Sequence, residues 1–337
     1  MAVSRAYIEA LIAKLEPLLR KAFDDAVNDW RNNVDLDGLA RALERGDLES
    51  AVRAANIQPA ALNGVTRSIE TAFEQTGSAE MTGLRIQVIF NARDLRAEDQ
   101  LRRAAATLVQ GITDDTRAML RTVLIDSLAK GQGGRAAGLD IAGRNVNGVR
   151  QGGYIGLTDG HAKAALNFEA TLSDPAKLKS AFSNADREKW PFALRDGRLD
   201  GQIAKAIKEG RALTSDQIKT AVTTYKNRAL RWRGENIART ETLRAVNSGR
   251  HEAYQQAVAS GKVAEQNIRR VWNSAHDKRV RDTHRAMDKQ SVGLNELFVS
   301  PSGARLRYPC DAMAPLSETA QCRCNVTIRI DHLANLR

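Results

Sequence analysis

A helical pattern that runs from Ser215 to about Ala259 constrains the fold more than any other segment. We expect the helix to begin at Ser215, and Gly261 lies where a helix commonly ends. Basic residues outnumber acidic ones along this helix: Lys219, Lys226, Arg228, Arg231, Arg233, Arg239, Arg244 and Arg250 against Asp216, Glu235, Glu241 and Glu252. A solvated face is the simplest interpretation of this stripe, and contact with DNA or an acidic partner is the functional one.

The composition also favours helices. Aromatic residues make up only 5% of the 337 residues, while Ala, Leu, Arg and Glu are frequent. A chain of this length exceeds one simple core, so we expect two or three domains. We predict a mostly α fold with a small C-terminal α+β module, joined by the long basic helix at about 215–260. The predicted regions are an N-terminal helical region at 1–92, a central helical region at 93–262 and the α+β module at 263–337.

Hydrophobic periodicity predicts a series of helices before the long one. They are Tyr7–Trp30, Leu36–Glu44, Pro59 to about Phe73, 94–109, 114–130 and 158–172. Asp47 and Thr158 are expected N-caps, and the Thr113–Thr116 stretch is expected to cap and so separate two of these helices. Alternation predicts an extended segment at Arg85–Phe90, and the glycine-rich residues 131–160 are predicted as a linker that matches no phosphate-binding motif.

The period of the sequence changes after Gly261. Strands are predicted at Ile268–Trp272 and Val326–Ile330, with a short helix at Lys278–Met287 between them. Two further extended segments flank Ser300–Gly303, a plausible β-turn. These elements make up the predicted α+β module.

The net charge of +11 suits a polyanionic partner, most simply nucleic acid. Charged residues interrupt the N-terminal apolar stretch, so we predict no signal peptide. No run approaches the roughly 18 apolar residues of a transmembrane helix, and we expect no membrane association. Three cysteines, all near the C-terminus, do not make a disulfide framework, which indicates folding in a reducing cytosol.

One face of the long helix carries polar residues at helical spacing, namely Thr240, Arg244, Asn247 and His251. Glu241 and Arg244 can pair at i, i+3 on an adjacent strip. We predict a structural polar network that docks the C-terminal module on this helix, with a ligand or catalytic site as the alternative. Its expected members are Arg239, Thr240, Glu241, Arg244, Asn247, Asp277, Arg281 and His284.

The Cys322-Arg-Cys324 pair places two thiols one residue apart. Zinc would need two further ligands, which Cys310 and His284, or His276, could supply. Buried free thiols and a disulfide are the competing interpretations. No cofactor is certain from the sequence, and zinc at Cys310, Cys322, Cys324 and His284 is the candidate that it offers.

His276, Asp277 and His284 also suit a metal-dependent nuclease or another enzyme acting on DNA, since such enzymes use His and Asp to activate water. A single His-Asp dipeptide without a second ligand cluster is weak support. An ADP-ribosyl transferase using Arg239 and Glu241 is supported less, because no Glu-x-Glu pair lies in a strand context.

Several of these pieces, taken in order, resemble the phage head morphogenesis family, the minor head proteins similar to the F protein of phage Mu. The resemblance covers about 94–330 and rests on Gly156–Phe168, Ile237–Thr242 with Asn247, Trp272, Asp277–Arg281, His284, Phe298, Gly303, Pro309–Asp311 and Cys322–Cys324. Cys310 departs from the family pattern, which has a small or polar residue there.

The resemblance implies a non-enzymatic minor capsid protein. Its partners would be the portal protein, the major capsid protein and the packaged double-stranded DNA. It would be made in the host cytoplasm and reside in the virion, at or inside the head near the portal vertex. The basic residues expected to meet DNA or an acidic partner are Lys219, Lys226, Arg228, Arg231 and Arg233.

Overall fold

Helices make up most of the chain in the computed structural model, which describes residues 3–84 and 88–331. The helices are α1 (Arg5–Asn32), α2 (Leu36–Glu44), α3 (Leu48–Ala54), α4 (Asn63–Leu84), α5 (Leu95–Ala129), α6 (Gly134–Ala142), α7 (Asp159–Leu172), α8 (Pro175–Ala181), α9 (Asp200–Lys208), α10 (Ser215–Ala259), α11 (Asp282–Ala286) and α12 (Leu316–Thr319). The strands are β1 (Arg144–Val146), β2 (Val149–Gln151), β3 (Ile268–Asn273), β4 (Ser291–Gly293), β5 (Phe298–Val299), β6 (Arg305–Leu306) and β7 (Asn325–Ile330). The mostly α fold with a small C-terminal α+β module is confirmed.

Local capping explains why several helices begin where the sequence predicted. The Asp47 carboxylate accepts from the Ser50 amide at 3.0 Å, and the Thr158 hydroxyl accepts from the His161 amide at 3.2 Å. Each bond satisfies an amide that lacks a partner in the first helical turn. α10 begins at Ser215 and ends before Gly261, which has a φ of +71° that favours glycine.

The predicted break between two helices near residue 113 is wrong, because α5 is continuous. The Thr113 hydroxyl donates to the Val109 carbonyl, and the Thr116 hydroxyl donates to the Ile112 carbonyl at 2.8 Å. Both side chains therefore bond back along one helix instead of capping a new one. α11 is also shorter than the predicted helix at 278–287.

The glycine-rich segment 131–160 is folded, which corrects the expectation of a linker. It contains α6 and the hairpin of β1 and β2, whose two-residue turn is Asn147-Gly148 with positive φ at both positions. Gly134 brings α6 against α2, since a Cβ there would lie 2.6 Å from the Ala40 Cα. The glycines thus serve a tight turn and a close helix contact.

The expected extended segment at 85–90 falls partly outside the described residues, which exclude 85–87. Val88–Phe90 are in neither a helix nor a strand.

In the C-terminal part, a three-stranded antiparallel sheet has the order β4-β3-β7, with Trp272 opposite Val326. β5 and β6 form a separate antiparallel pair around the predicted turn, where Gly303 has a φ of +83°.

The chain forms two compact units. The first comprises the described residues within 1–23, 62–108 and 235–337, and the second comprises 24–61 and 109–234. Segments distant in sequence therefore pack together within each unit. Among the described residues, no helix has the length and apolarity that a membrane crossing requires.

Each unit has its own core. In the first unit, Phe73, Tyr254, Trp272 and Phe298 are fully buried in one hydrophobic cluster that also contains the cysteines. In the second unit, buried aromatic and aliphatic side chains include Trp30, Leu39, Phe168 and Tyr225. The candidate functional site lies within the first unit.

Candidate functional site

Three cysteines and one histidine meet in the interior of the first unit. The Nδ1 atom of His284, on α11, lies 3.5 Å from the Cys322 Sγ and 3.4 Å from the Cys324 Sγ. The Cys310 thiol contacts Cys322 and donates to the Thr319 carbonyl at 3.2 Å. The ligand atoms of His284, Cys322 and Cys324 all lie within 4.8 Å of one another. Three of the four predicted ligands thus form one group, and Cys310 lies beside it.

The environment of the thiols keeps them neutral in the absence of a cation. The contact with Cys310, together with burial, raises the pKa of Cys322 to about 12. The neighbouring Cys322 thiol and burial likewise raise the pKa of Cys324. No disulfide joins these cysteines, all of which are buried.

Glu318 lies behind the histidine ring and was not predicted from the sequence. Its Oε2 is 2.9 Å from the His284 Nε2, at an angle that does not make a hydrogen bond. Burial would raise the pKa of Glu318, but hydrogen bonds from Ser302, Thr283 and Ser300 outweigh burial and lower it. Glu318 therefore remains a carboxylate beside the ring. No local pattern could have revealed this role, because the hydroxyls come from two other segments: Thr283 lies on α11, and Ser300 and Ser302 follow β5.

Three side chains of α10 bond the backbone of the segment 309–321, as the predicted network requires. They are Thr240 (accepting from Gln321 N, 3.1 Å), Arg244 (donating to Cys310 O, 3.0 Å) and Asn247 (donating to Pro309 O, 3.1 Å). Arg244 also donates to Glu241 at 2.7 Å. Burial raises the pKa of Glu241, and Arg244 opposes that effect.

The other predicted network members have different partners. Arg239 pairs at 3.3 Å with Glu16 of α1, so it does not bond the C-terminal module as expected. Asp277 pairs with Arg323, the residue between the two cysteines. Arg281 donates to the carbonyl of residue 320, next to the cysteine segment. His284 belongs to the cysteine cluster.

A buried ion pair that the sequence analysis missed links α4, α10 and β7. The Arg250 Nε donates to the Glu80 Oε1 at 2.5 Å, and its Nη1 donates to the Val326 carbonyl at 2.8 Å. The Tyr254 hydroxyl donates to the other Glu80 oxygen at 3.3 Å. Arg250 was counted in the basic stripe, but it is 3% exposed.

Two of the five residues predicted to meet DNA or an acidic partner are buried. Lys226 lies over the Tyr154 ring at 4.1 Å, and burial lowers its pKa to about 8. Arg233 donates to the Gly156 carbonyl at 2.9 Å and to Asp115 at 3.0 Å. These two side chains are buried in the second unit, so the prediction that they bind DNA or an acidic partner is corrected.

Only part of the predicted basic stripe faces solvent. Arg228 is half-buried and pairs with Asp196 at 3.2 Å. Lys219 and Arg231 are exposed. The stripe is thus interrupted, because the counted charges were spread around the helix and several faces of α10 are buried.

The residues proposed for a nuclease do not converge. His276 is exposed and lies 3.6 Å from Asp288, Asp277 pairs with Arg323, and His284 faces the cysteines. Within residues 3–84 and 88–331, His284, Cys322 and Cys324 form the one group of three or more side chains placed to hold a metal ion. Nothing in this geometry favours the nuclease alternative.

The buried His251 predicts a pH dependence of stability. Burial, with repulsion from Arg270 and Arg307, lowers its pKa to about 3 from 6.5. Because the unfolded chain takes up this proton first as pH falls, the folded state should lose stability between about pH 6.5 and 3, by up to about 1.4 kcal/mol per pH unit. His251→Gln should flatten this slope in urea unfolding measured across that range. An equal slope of stability against pH in the wild type and the variant would contradict the lowered pKa of His251.

The region that contains the cluster matches a known family. Residues 192–327 match the sequence model of the family described as phage Mu protein F like protein, over less than half of the chain. No curated protein and no solved structure matches this chain. The match includes α9, α10 and the cysteine–histidine cluster. Over these residues the chain is similar to this family, and the match confirms the resemblance to Mu F-like phage head proteins seen in the sequence.

Proposed function

We propose that the chain acts in phage head morphogenesis as a minor component of the virion, by binding and without catalysis. The observation that carries this proposal is the family match over residues 192–327. Its proposed partners are the portal protein, the major capsid protein and the packaged double-stranded DNA, at or inside the head near the portal vertex.

The proposed DNA contact lies on α8 and α9, which pack against each other in the second unit. Each helix has two exposed lysines, and another lies at the start of α10: Lys177 and Lys179, Lys205 and Lys208, and Lys219. Lys205 has Glu209 as a distant ionic neighbour at 3.9 Å. Exposed lysines on adjacent helices suit the phosphate backbone, which is recognised by charge and without sequence preference.

The test of this surface compares two variants with the same net charge. In one, Lys177, Lys179, Lys205 and Lys208 become glutamine; in the control, four exposed cations of the first unit, Arg67, Arg102, Arg103 and Lys262, become glutamine. We expect the first variant to bind double-stranded DNA more weakly. The slope of log K against log salt should shrink by about 0.9 for each phosphate that the variant no longer neutralises. Equal slopes in both variants would remove this surface as the DNA-binding site.

The role in the head is tested separately. The tagged protein would be recovered from phage-producing cells, and its partners identified by mass spectrometry. Recovery with the portal and major capsid proteins, and retention in purified heads, are the expected results. A protein that is absent from heads and assembly intermediates would overturn the proposed function.

A further inference from the structure

The cysteine–histidine cluster has a chemistry that the proposed binding function does not use. Cys310, Cys322, Cys324 and His284 are between 0 and 3% exposed, and no disulfide joins the cysteines. Thiolate sulfur and imidazole nitrogen are the preferred ligands of structural zinc. We propose that these four side chains bind one zinc ion, which holds together the C-terminal part of the first unit.

The distances agree with a tetrahedral site. Bonds of about 2.3 Å to sulfur and about 2.0–2.1 Å to nitrogen place sulfur and nitrogen ligands of tetrahedral zinc about 3.6 Å apart. The Sγ atoms of Cys322 and Cys324 lie 3.5 Å and 3.4 Å from the His284 Nδ1. Both sulfur–nitrogen distances are close to this value, and the three ligand atoms lie within 4.8 Å of one another. Cys310 contacts Cys322 and supplies the fourth ligand once its thiol leaves the Thr319 carbonyl.

The second ring nitrogen of His284 lies close to a carboxylate. A metal-bound histidine commonly has its other nitrogen beside a carboxylate, which fixes the ring and its tautomer. Glu318 lies 2.9 Å from the His284 Nε2 and is itself held by three hydroxyl groups, those of Ser300, Ser302 and Thr283. A buried carboxylate with this support needs a function, and orientation of a metal-bound imidazole provides one.

The surrounding charges suit three thiolates. Zinc with three thiolates and a neutral imidazole carries a net charge of −1. The guanidinium groups of Arg244 and Arg281 donate to the carbonyls of Cys310 and Ala320, beside the cysteines. The Arg281 guanidinium lies where it would offset this negative charge, whereas Arg244 is already paired with Glu241.

Backbone strain marks the same place. Cys310 has a φ of +63° and Gln321 has a φ of +52°, in the left-handed region that is costly for residues other than glycine. Both residues are held there by α10, through Arg244 and Thr240 respectively. These bonds from α10 hold the segments that carry the cysteines.

The proposed site is structural because four protein ligands fill a buried tetrahedron and leave no open position for substrate. The ligands come from α11, from the loop after β6 and from the segment before β7. The sheets that these elements border have strands of only two to six residues. A metal ion would join these short elements and contribute to their folding free energy.

The test uses the full chain, with its affinity tag removed and purified without chelator. Elemental analysis should find one zinc per chain. The double change Cys322→Ser with Cys324→Ser should lose this zinc, and His284→Gln should weaken its binding. His251→Gln, which changes another buried histidine of the same unit, should retain it. A wild-type protein that is purified without zinc and binds none when refolded with zinc would overturn the proposal. A double serine variant that keeps its full zinc content would also overturn it.

Cobalt provides a measurement that does not depend on the variants folding. Cobalt in the wild-type chain should give the visible bands of a tetrahedral ion and a thiolate-to-metal charge-transfer band. It should also quench Trp272, whose ring lies 5.2 Å from that of His284. An octahedral spectrum without charge transfer would overturn the site. Cys310→Ser should lower the charge-transfer intensity by about one third if Cys310 is a ligand of the Cys₃His type, and an unchanged band would exclude it.

Discussion

Replacing Arg250 with methionine should lower the free energy of unfolding by about 3–5 kcal/mol, because it leaves the Glu80 carboxylate buried without its counter-ion. The two side chains are 4% and 0% exposed, so solvent does not screen their interaction. The variant also lacks the bonds from Arg250 to Asn325 and to the Val326 carbonyl. This one change therefore weakens the junction of α4, α10 and β7.

Urea unfolding followed by circular dichroism measures the effect. The control is Arg103→Ala, which removes an exposed i, i+4 pair with Asp99 and should leave stability nearly unchanged. The double variant with Glu80→Met should cost less than the two single changes together, since no unpaired buried charge remains. A midpoint for Arg250→Met equal to that of the wild type would show that the pair contributes little.

Features set by nearby residues were predictable from the sequence. α10 begins at the predicted Ser215 and ends before Gly261, and the start of α7 follows from the Thr158 cap. The turn at Gly303 was also recognised from its residues. In each case the physical cause lies within a few positions of the feature, where a hydrogen bond or a permitted φ decides the outcome.

Features set by distant contacts were not predictable in the same way. Glu80 and Arg250 meet across 170 positions, and no pattern near either residue indicates the pair. Lys226, Arg233 and Arg250 were predicted to lie on the surface because basic residues are frequent along α10. From Thr240 to Ala257, however, every residue except Arg244 and Gln255 is buried, so the helix has no fully solvated face there. Burial on several sides depends on what packs around the helix, which its own sequence does not state.

The candidate metal ligands were predictable from the sequence only in part. Their chemistry identified them, because few residues other than Cys and His bind zinc strongly. Their convergence was a hypothesis, and the structure brings His284, Cys322 and Cys324 together. Glu318 was missed because its role follows only from the three hydroxyl groups and the imidazole around it.

Gly249 lies in the middle of α10, and its replacement by alanine should destabilise the first unit by about 1–3 kcal/mol through overpacking. A Cβ at this position would lie 2.4 Å from the Phe73 carbonyl oxygen, and Phe73 backbone carbons lie 3.1 Å and 3.2 Å away. The obstacle is main chain of α4, which cannot change rotamer to make room. α4 and α10 would have to move apart and disturb the packing between them.

Gly111 provides the matched control, since it is also a helical glycine but has no atom within 4 Å of an added Cβ. Alanine there should raise stability by about 0.5–1 kcal/mol, because glycine loses more backbone freedom on folding. The same gain in helix propensity applies at position 249, so the difference between the two variants measures the cost of the clash. Urea midpoints that move in opposite directions are expected. A Gly249→Ala protein as stable as Gly111→Ala would mean that α4 and α10 are not held at this separation.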